Sequence, residues 1–321
     1  MEKRFSPLSV LALLFFTCLF LPGHIFAEPG LITKDVSVSE RSGGKLACLD
    51  HSARTGNLFA VIRFEESYPN SGTIYSWTVN ISKDRGRTWQ ETYEFRSPFH
   101  NNDISAAVAG GYLWVGYATG FDTPDKVFTR RFRVQDGMLD TTFGGGNEFQ
   151  MVIDKGMPVR DIEVFSNADS AVDNIPRVYI AAILDNTTSP LATNLVNFHS
   201  TLTETTSPTW TELSTGVSNA LKGLSGTWNR NYTQYFSFLS YIAENGQDQP
   251  IMILKQRVSG GDPFQLEPNY SGSHGLTSVS AWDNTVICAY VNDYKVTYDI
   301  SYDEGFKWST HTFIPSHSSL W

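Results

Sequence analysis

Ser82-Lys83-Asp84-Arg85-Gly86-Arg87-Thr88-Trp89 returns near the end of the chain as Ser301-Tyr302-Asp303-Glu304-Gly305-Phe306-Lys307-Trp308, and this octapeptide decides the fold. Its third residue is an aspartate, whose carboxylate can accept hydrogen bonds from backbone N–H groups about two residues on, as in tight turns. Glycine at the fifth position supplies a positive φ at no steric cost. The closing tryptophan starts an outgoing strand and is large enough to lay an apolar face over the turn. Ser82, Asp84, Gly86 and Trp89, with Ser301, Asp303, Gly305 and Trp308, are thus structural residues of two hairpin turns. One carboxylate per turn, flanked in the first copy by Lys83 and Arg85, makes a poor calcium site, and no metal or cofactor is expected.

Asp84 and Asp303 stand 219 positions apart, which divides into four steps of about 55 residues and leaves room for five repeats. Between them the chain runs in short β-branched and aromatic segments bounded by Gly, Asn, Asp and Pro, with no sustained apolar stripe at helical period. The class is all-β. Asn102-Asp103-Ile104-Ser105 opens a second repeat and Arg160-Asp161-Ile162-Glu163 a third, while Thr209-Trp210 matches Thr88-Trp89. The fourth repeat is expected to start with a strand over 221–227, followed by a loop from Trp228 to Tyr232, and the fifth to end with a strand over 307–313. Gly144-Gly145-Gly146 reads as a flexible turn. Four short strands per repeat predict a β-propeller of about five four-stranded blades, or six or more if the chain is incomplete at its C-terminus; a β-sandwich is the alternative. Residues 31–40 alternate like a strand and form either an extra edge or the sign of a further blade beyond Trp321.

Lys3 and Arg4 precede an apolar run from about Leu8 to Leu21, and Ile25-Phe26-Ala27 offers a cleavage site, so residues 1–27 read as a secretory signal peptide. The run is short for a bilayer span, and no later segment is apolar for long enough to cross a membrane. Residues 28–321 are then expected outside the cytoplasm: secreted, periplasmic or on the cell surface. Glu2, Lys3 and Arg4 carry a net +1 between them, so their loss takes the chain from −9 to −10, which argues against nucleic acid as a partner. Two cysteines stay in the mature chain, Cys48 and Cys288. Export permits a bridge; two separate buried thiols in strand interiors are the favoured reading, and the sequence leaves the pairing open.

The octapeptides resemble the Asp-box, or BNR-repeat, propellers, a superfamily that includes the sialidases. The first copy matches the motif fully and the second departs from it only at Lys307. In that superfamily the Asp boxes lie on hairpins away from the ligand end, so the resemblance implies fold and leaves activity open. Sialidases use an arginine cluster, a Tyr nucleophile paired with Glu, and an Asp acid/base, with one arginine supplied by an Arg-Ile-Pro motif. That motif is missing here; the nearest string is Ile175-Pro176-Arg177.

Ligand sites of propellers form where the innermost strands begin, which draws attention to His100, Asp103, Arg160, Asp161, Glu163, Arg230 and His274. Asp103 and Asp161 are the candidate catalytic pair, since two carboxyls near an axis suit glycoside hydrolysis. Arg160 and Arg230 have the planar fork that orients an anionic group. His100, His274 and Trp228 complete the candidate ligand-binding set, Trp228 as a stacking surface. The expected function is an exported, non-catalytic propeller that binds a glycan or a protein surface; the alternative is a sialidase-like exo-glycoside hydrolase.

Overall fold

The computed structural model describes residues 45–68, 72–97, 104–119, 126–167, 177–186, 192–201, 205–231, 234–244, 249–257, 263–266, 276–292 and 295–313. These residues form five four-stranded antiparallel sheets. Blade 1 holds β1 (Lys45–His51), β2 (Leu58–Tyr68), β3 (Gly72–Ser82) and β4 (Gln90–Ser97), and blade 2 holds β5 (Ile104–Ala109), β6 (Tyr112–Thr119), β7 (Lys126–Arg133) and β8 (Gln150–Ile153). Blade 3 is β9 (Val159–Ser166), β10 (Val178–Leu184), β11 (Leu195–Ser200) and β12 (Thr211–Leu213). Blade 4 is β13 (Ala220–Asn231), β14 (Gln234–Ala243), β15 (Ile251–Arg257) and β16 (Phe264–Leu266), and blade 5 is β17 (Thr277–Trp282), β18 (Thr285–Asn292), β19 (Lys295–Ser301) and β20 (Ser309–Phe313). Strand order in each sheet follows chain order, so each blade is a meander, and the all-β propeller of five four-stranded blades expected from the turn spacing is the architecture found.

The first strand of each blade is the innermost. β1 lies against β5, β5 against β9, β9 against β13 and β13 against β17. Blade faces are apolar because both sides of a middle strand meet a neighbouring sheet: β10 is buried along its whole length. Apolar clusters fill four of the seams. Phe59, Trp77 and Val79 meet Leu113, Val115 and Phe132 between blades 1 and 2; Trp114 and Phe143 meet Ile162 and Ile180 between blades 2 and 3. Tyr179 and Ile183 meet Leu239 and Tyr241 between blades 3 and 4, and Phe238 and Ile253 meet Val286 and Cys288 between blades 4 and 5. Trp210, the tryptophan kept where the rest of the octapeptide is lost, leans edge-on against Trp114 at 6.0 Å and donates its indole N–H to Gln150 at 3.2 Å.

Both octapeptides are hairpin turns, with a hydrogen-bond scheme richer than the sequence suggests. Asp84 Oδ1 accepts the Thr88 N–H at 2.8 Å, four residues ahead rather than two, and Oδ2 accepts the Thr88 hydroxyl at 2.7 Å. Ser82 donates its hydroxyl to Asp84 and accepts the Gly86 N–H, each at 2.8 Å. The second copy repeats this: Lys307 N–H to Asp303, Ser301 hydroxyl to Asp303, Gly305 N–H to Ser301. Bonds from Thr88 above all hold the Asp84 carboxyl down at about 2. Gly86 and Gly305 take φ of 84° and 96°, and the residues before them, Arg85 and Glu304, are left-handed too, at 62° and 61°. A Cβ on Gly305 would run into Leu266 and lie 3.4 Å from the Trp308 ring, so the tryptophan does cover the turn.

Several expectations need correcting. The fourth strand of blade 5 starts at Ser309, not Lys307, because Lys307 still belongs to the turn. Gly144-Gly145-Gly146 is a packed turn: Phe143 is fully buried and the Gly144 N–H is held by the Thr206 carbonyl at 2.7 Å. Trp228 and Arg230 lie inside β13, not in a loop, because that strand runs on to Asn231 with register shifts near its start. Cys48 and Cys288, by contrast, are two separate free thiols, as the reading of them as strand-interior residues has it.

Candidate functional site

An innermost strand has a free edge towards the axis, and its backbone groups need partners. Here polar side chains of one inner strand reach the main chain of the next. Between β1 and β5, Asp50 Oδ2 accepts the Val108 N–H at 2.7 Å and the Cys48 thiol donates to the Ala106 carbonyl at 2.8 Å. Between β5 and β9, Ser105 Oγ accepts the Val164 N–H at 3.0 Å and Ser166 donates to the Val108 carbonyl at 2.6 Å. From β9, Asp161 Oδ2 accepts the Leu224 N–H at 2.7 Å and Glu163 Oε1 the Gly226 N–H at 3.2 Å, both on β13. Ser225 then accepts the Val279 N–H at 3.3 Å, and Thr277 donates to the Gly223 carbonyl at 2.6 Å. These ties join residues 58, 58, 63 and 54 positions apart from blade 1 to blade 5, so the repeat is less even than a uniform step of about 55.

Each tie advances in phase, Asp161 with Leu224 and Glu163 with Gly226, so the inner strands run parallel and heights along the axis can be compared. Arg160 and Asp161 stand near the start of β9. Trp228 and Arg230 are four and six positions beyond Leu224 on β13, which puts them roughly 13 and 20 Å farther along the axis at strand rise. The structure therefore separates these two pairs instead of joining them in one site. Arg160 is exposed and forms an ion pair with Asp185 at 3.1 Å. His100, Asp103 and His274 fall outside the described residues, as does the Arg230 side chain.

A cavity of about 290 Å³ lies at the second halves of the inner strands, lined by Cys48, Asp50 and His51 of β1, Ala106 to Val108 of β5, Glu163 and Ser166 of β9, and Gly226 of β13. Its walls are close because small residues sit there: a Cβ on Gly226 would collide with the Phe165 ring. Glu163 is the carboxyl that sequence reading left out of the catalytic pair. Burial is the main reason its carboxyl is pushed up to about 8, with Asp161 adding to the shift and the bonds from Ser105 and Gly226 opposing it. Burial, and then Asp50 and Glu163, push the Cys48 thiol well up. Thus at neutral pH Glu163 is mostly an un-ionised acid and Cys48 a thiol. His51 sits 3.7 Å from Asp50. Among the described residues no group of three or more His, Cys, Asp and Glu is placed to hold a metal ion.

Two other conspicuous cations are structural. Arg131 pairs with Asp140 at 2.7 Å, with side chains 1% and 10% exposed, and lies 4.1 Å from the Tyr112 ring centre. Arg130 lies over Phe95 at 5.0 Å. Both are on β7, away from the innermost strands.

No family model matches this chain, and no curated protein matches it. Among solved structures it is similar to the Hadza microbial sialidase Hz136, at 11% identity and a TM-score of 0.45 over 76% of this chain and 49% of that one. It is also similar to a neuraminidase-like protein from A/bat/Guatemala/164/2009, at 10% identity and 0.49 over 84% and 76%. The Dos1 propeller is a third, at 9% identity and 0.46 over 85% and 74%. The chain spans about half the length of the sialidase.

Proposed function

We propose that the chain is an exported propeller that binds a glycan or a protein surface without catalysing a reaction on it. One observation carries the reading. Asp161, the described member of the nominated acid/base pair, holds the Leu224 N–H at 2.7 Å, one of a series of equivalent ties from blade 1 to blade 5 that also uses Asp50 and Glu163. A general acid or base must reach the proton it moves, whereas these carboxyls fasten one blade to the next.

The test is turnover of a fluorogenic sialoside by purified residues 28–321, alongside Asp103→Ala and Arg160→Ala, paired with glycan-array and protein-capture binding of the same sample. Binding without turnover is expected. Turnover that both substitutions abolish overturns the reading in favour of a sialidase-like hydrolase. Export is checked on secreted product by N-terminal sequencing, with Glu28 expected first.

A further inference from the structure

We infer, with the binding function proposed above as premise, that the turns of blades 1 and 2 around the first octapeptide form a docking surface for an acidic polysaccharide. Five exposed basic side chains meet there: Arg54 in the turn between β1 and β2, Lys83, Arg85 and Arg87 in the octapeptide, and Arg133 at the end of β7. Hydrogen bonds hold the three segments side by side. The Asn57 amide donates to the Val134 carbonyl at 2.8 Å, and the Thr92 hydroxyl, just past the octapeptide, donates to the Gly137 carbonyl at 2.7 Å. Lys83 stands close enough to Asp136 to help lower its carboxyl, after the larger effect of the bond from Arg133. Residues 52–57, 82–89 and 133–138 together hold five basic and two acidic side chains, a net +3 in a chain of −9. Both acids are engaged: Asp84 accepts from Ser82 and Thr88, and Asp136 pairs with Arg133 at 2.8 Å. Among the described residues no carboxylate pairs with Lys83, Arg85 or Arg87.

Turn chemistry does not call for these cations. The second octapeptide makes the same hydrogen bonds with Tyr302, Glu304 and Phe306 at the places of Lys83, Arg85 and Arg87, and the residue before the glycine is left-handed in both copies. The second, fourth and sixth positions are thus open to other side chains, and in the first copy all three are basic although Lys and Arg are 24 of 321 residues. A linear polyanion fits this placement better than a flat anionic surface. Blade 5 presents its octapeptide at the same end, tied to the turn between β17 and β18 by the Glu304 N–H, which donates to the Asn284 carbonyl at 2.8 Å. Asp283, Asp303 and Glu304 against Lys307 give those turns a net −2, so an anionic membrane laid across the end would meet its own sign there, whereas a polymer can keep to blades 1 and 2. The cations stand on turn tips, not along a strand edge, so recognition runs through charge and planar guanidinium forks. That suits sulfate or carboxylate groups repeated along a sugar chain more than a peptide that adds a strand.

Calorimetric titration of purified residues 28–321 tests this at low and at physiological salt. The probes are a heparin decasaccharide, a neutral maltodextrin of similar length, a polyglutamate peptide, a thymidine oligonucleotide, and phosphatidylcholine vesicles containing phosphatidylserine. The heparin fragment is expected to bind at least tenfold more tightly than every other probe, and more weakly as salt screens the exposed charges. Arg85→Glu/Arg87→Glu is expected to weaken it at least tenfold and the milder Arg85→Gln/Arg87→Gln at least threefold, with unchanged far-UV spectra. Lys307→Glu, in the equivalent turn of blade 5, is expected to change it less than twofold. Binding of the maltodextrin as tightly as the heparin fragment overturns the inference while leaving glycan binding intact. Preference for the peptide, the oligonucleotide or the vesicles gives the surface a different partner and overturns it too. Unchanged affinity in both arginine variants, an equal loss in Lys307→Glu, or no binding of any probe also overturns it, whereas sialoside turnover overturns the proposed function itself.

Discussion

Glu163 makes stability depend on pH in a way that one substitution isolates. An unfolded glutamate ionises near 4.5, and the folded one near 8. Between those values the folded state holds a proton that the unfolded state has lost, so raising the pH favours unfolding. The sign is thus opposite to that of an ordinary salt-bridged carboxylate. Each unit of difference is worth about 1.4 kcal/mol, so the destabilisation is absent below pH 4.5, reaches about 3 kcal/mol at pH 7, and levels off near 5 kcal/mol above pH 8. Glu163→Gln keeps an oxygen for the Gly226 N–H and an amide for Ser105 but has no proton to lose. Urea unfolding of both proteins at pH 5, 6, 7 and 8 then has a defined outcome: similar stability at the acid end, and a Gln variant that gains on the parent by about 1.4 kcal/mol per pH unit. Other titrating groups are common to both and cancel in the difference. Parallel pH curves, or a Gln variant that is weaker at pH 8, would refute the claim that this carboxyl is desolvated without a counter-charge.

Other tests address the turns, the ties and the seams. Gly305→Ala is expected to cost about 2 to 4 kcal/mol, since it puts a Cβ at φ 96° and against Leu266; Gly86→Ala, with its nearest neighbour at 3.4 Å, costs only about 1 to 2 kcal/mol, and urea midpoints rank the two. Asp161→Ala leaves the Leu224 N–H without its acceptor and costs about 1 to 3 kcal/mol, while Asp161→Asn restores most of the loss; equal thermal stability of the two variants contradicts the tie. Arg131→Met strands Asp140 and is expected to cost about 3 to 5 kcal/mol, with Arg131→Met/Asp140→Leu recovering much of it in a double-mutant cycle. Trp210→Ala removes the indole from between blades 2 and 3, and should cost about 3 to 5 kcal/mol in the same unfolding assay.

The parts of this molecule that could be read from sequence are those whose physics is local. The octapeptide carries its turn within eight residues, so Asp84, Gly86 and Trp89 could be assigned their work without a partner elsewhere in the chain. Even there, the hydroxyls of Ser82 and Ser301 were silent, because a serine has no preference sharp enough to reveal that it receives the glycine N–H. The stretch Trp228-Asn229-Arg230 reads as a loop by its polarity, yet the strand continues through it, with the Asn229 amide reaching the Asp283 carbonyl across the seam to blade 5. The cavity had no local signature at all, since its walls come from four blades whose residues are about 60 positions apart. A signal existed in the offsets: Asp50 with Val108, Ser166 with Val108, and Glu163 with Gly226 each place a polar residue opposite an inner-strand backbone one repeat away. It is visible only once the repeat length is known blade by blade, and two copies of a turn fix only the mean.

The same ties bear on why the cavity and the ring cannot vary independently. Parallel inner strands pack side by side without forming a sheet, so each blade would present unpaired N–H and C=O groups to the axis, at a cost per buried group of about 1 to 3 kcal/mol. Short side chains from the neighbouring blade meet that demand, and acidic ones do so as acceptors for N–H. Asp50, Asp161 and Glu163 supply this role, and Asp50 and Glu163 also line the cavity. Carboxyl fasteners bring ionisable groups to the axial space, as Asp50 and Glu163 do, whereas β13 and β17, fastened through Ser225 and Thr277, bring none. The electrostatic character of the site follows from which of these fasteners faces the cavity.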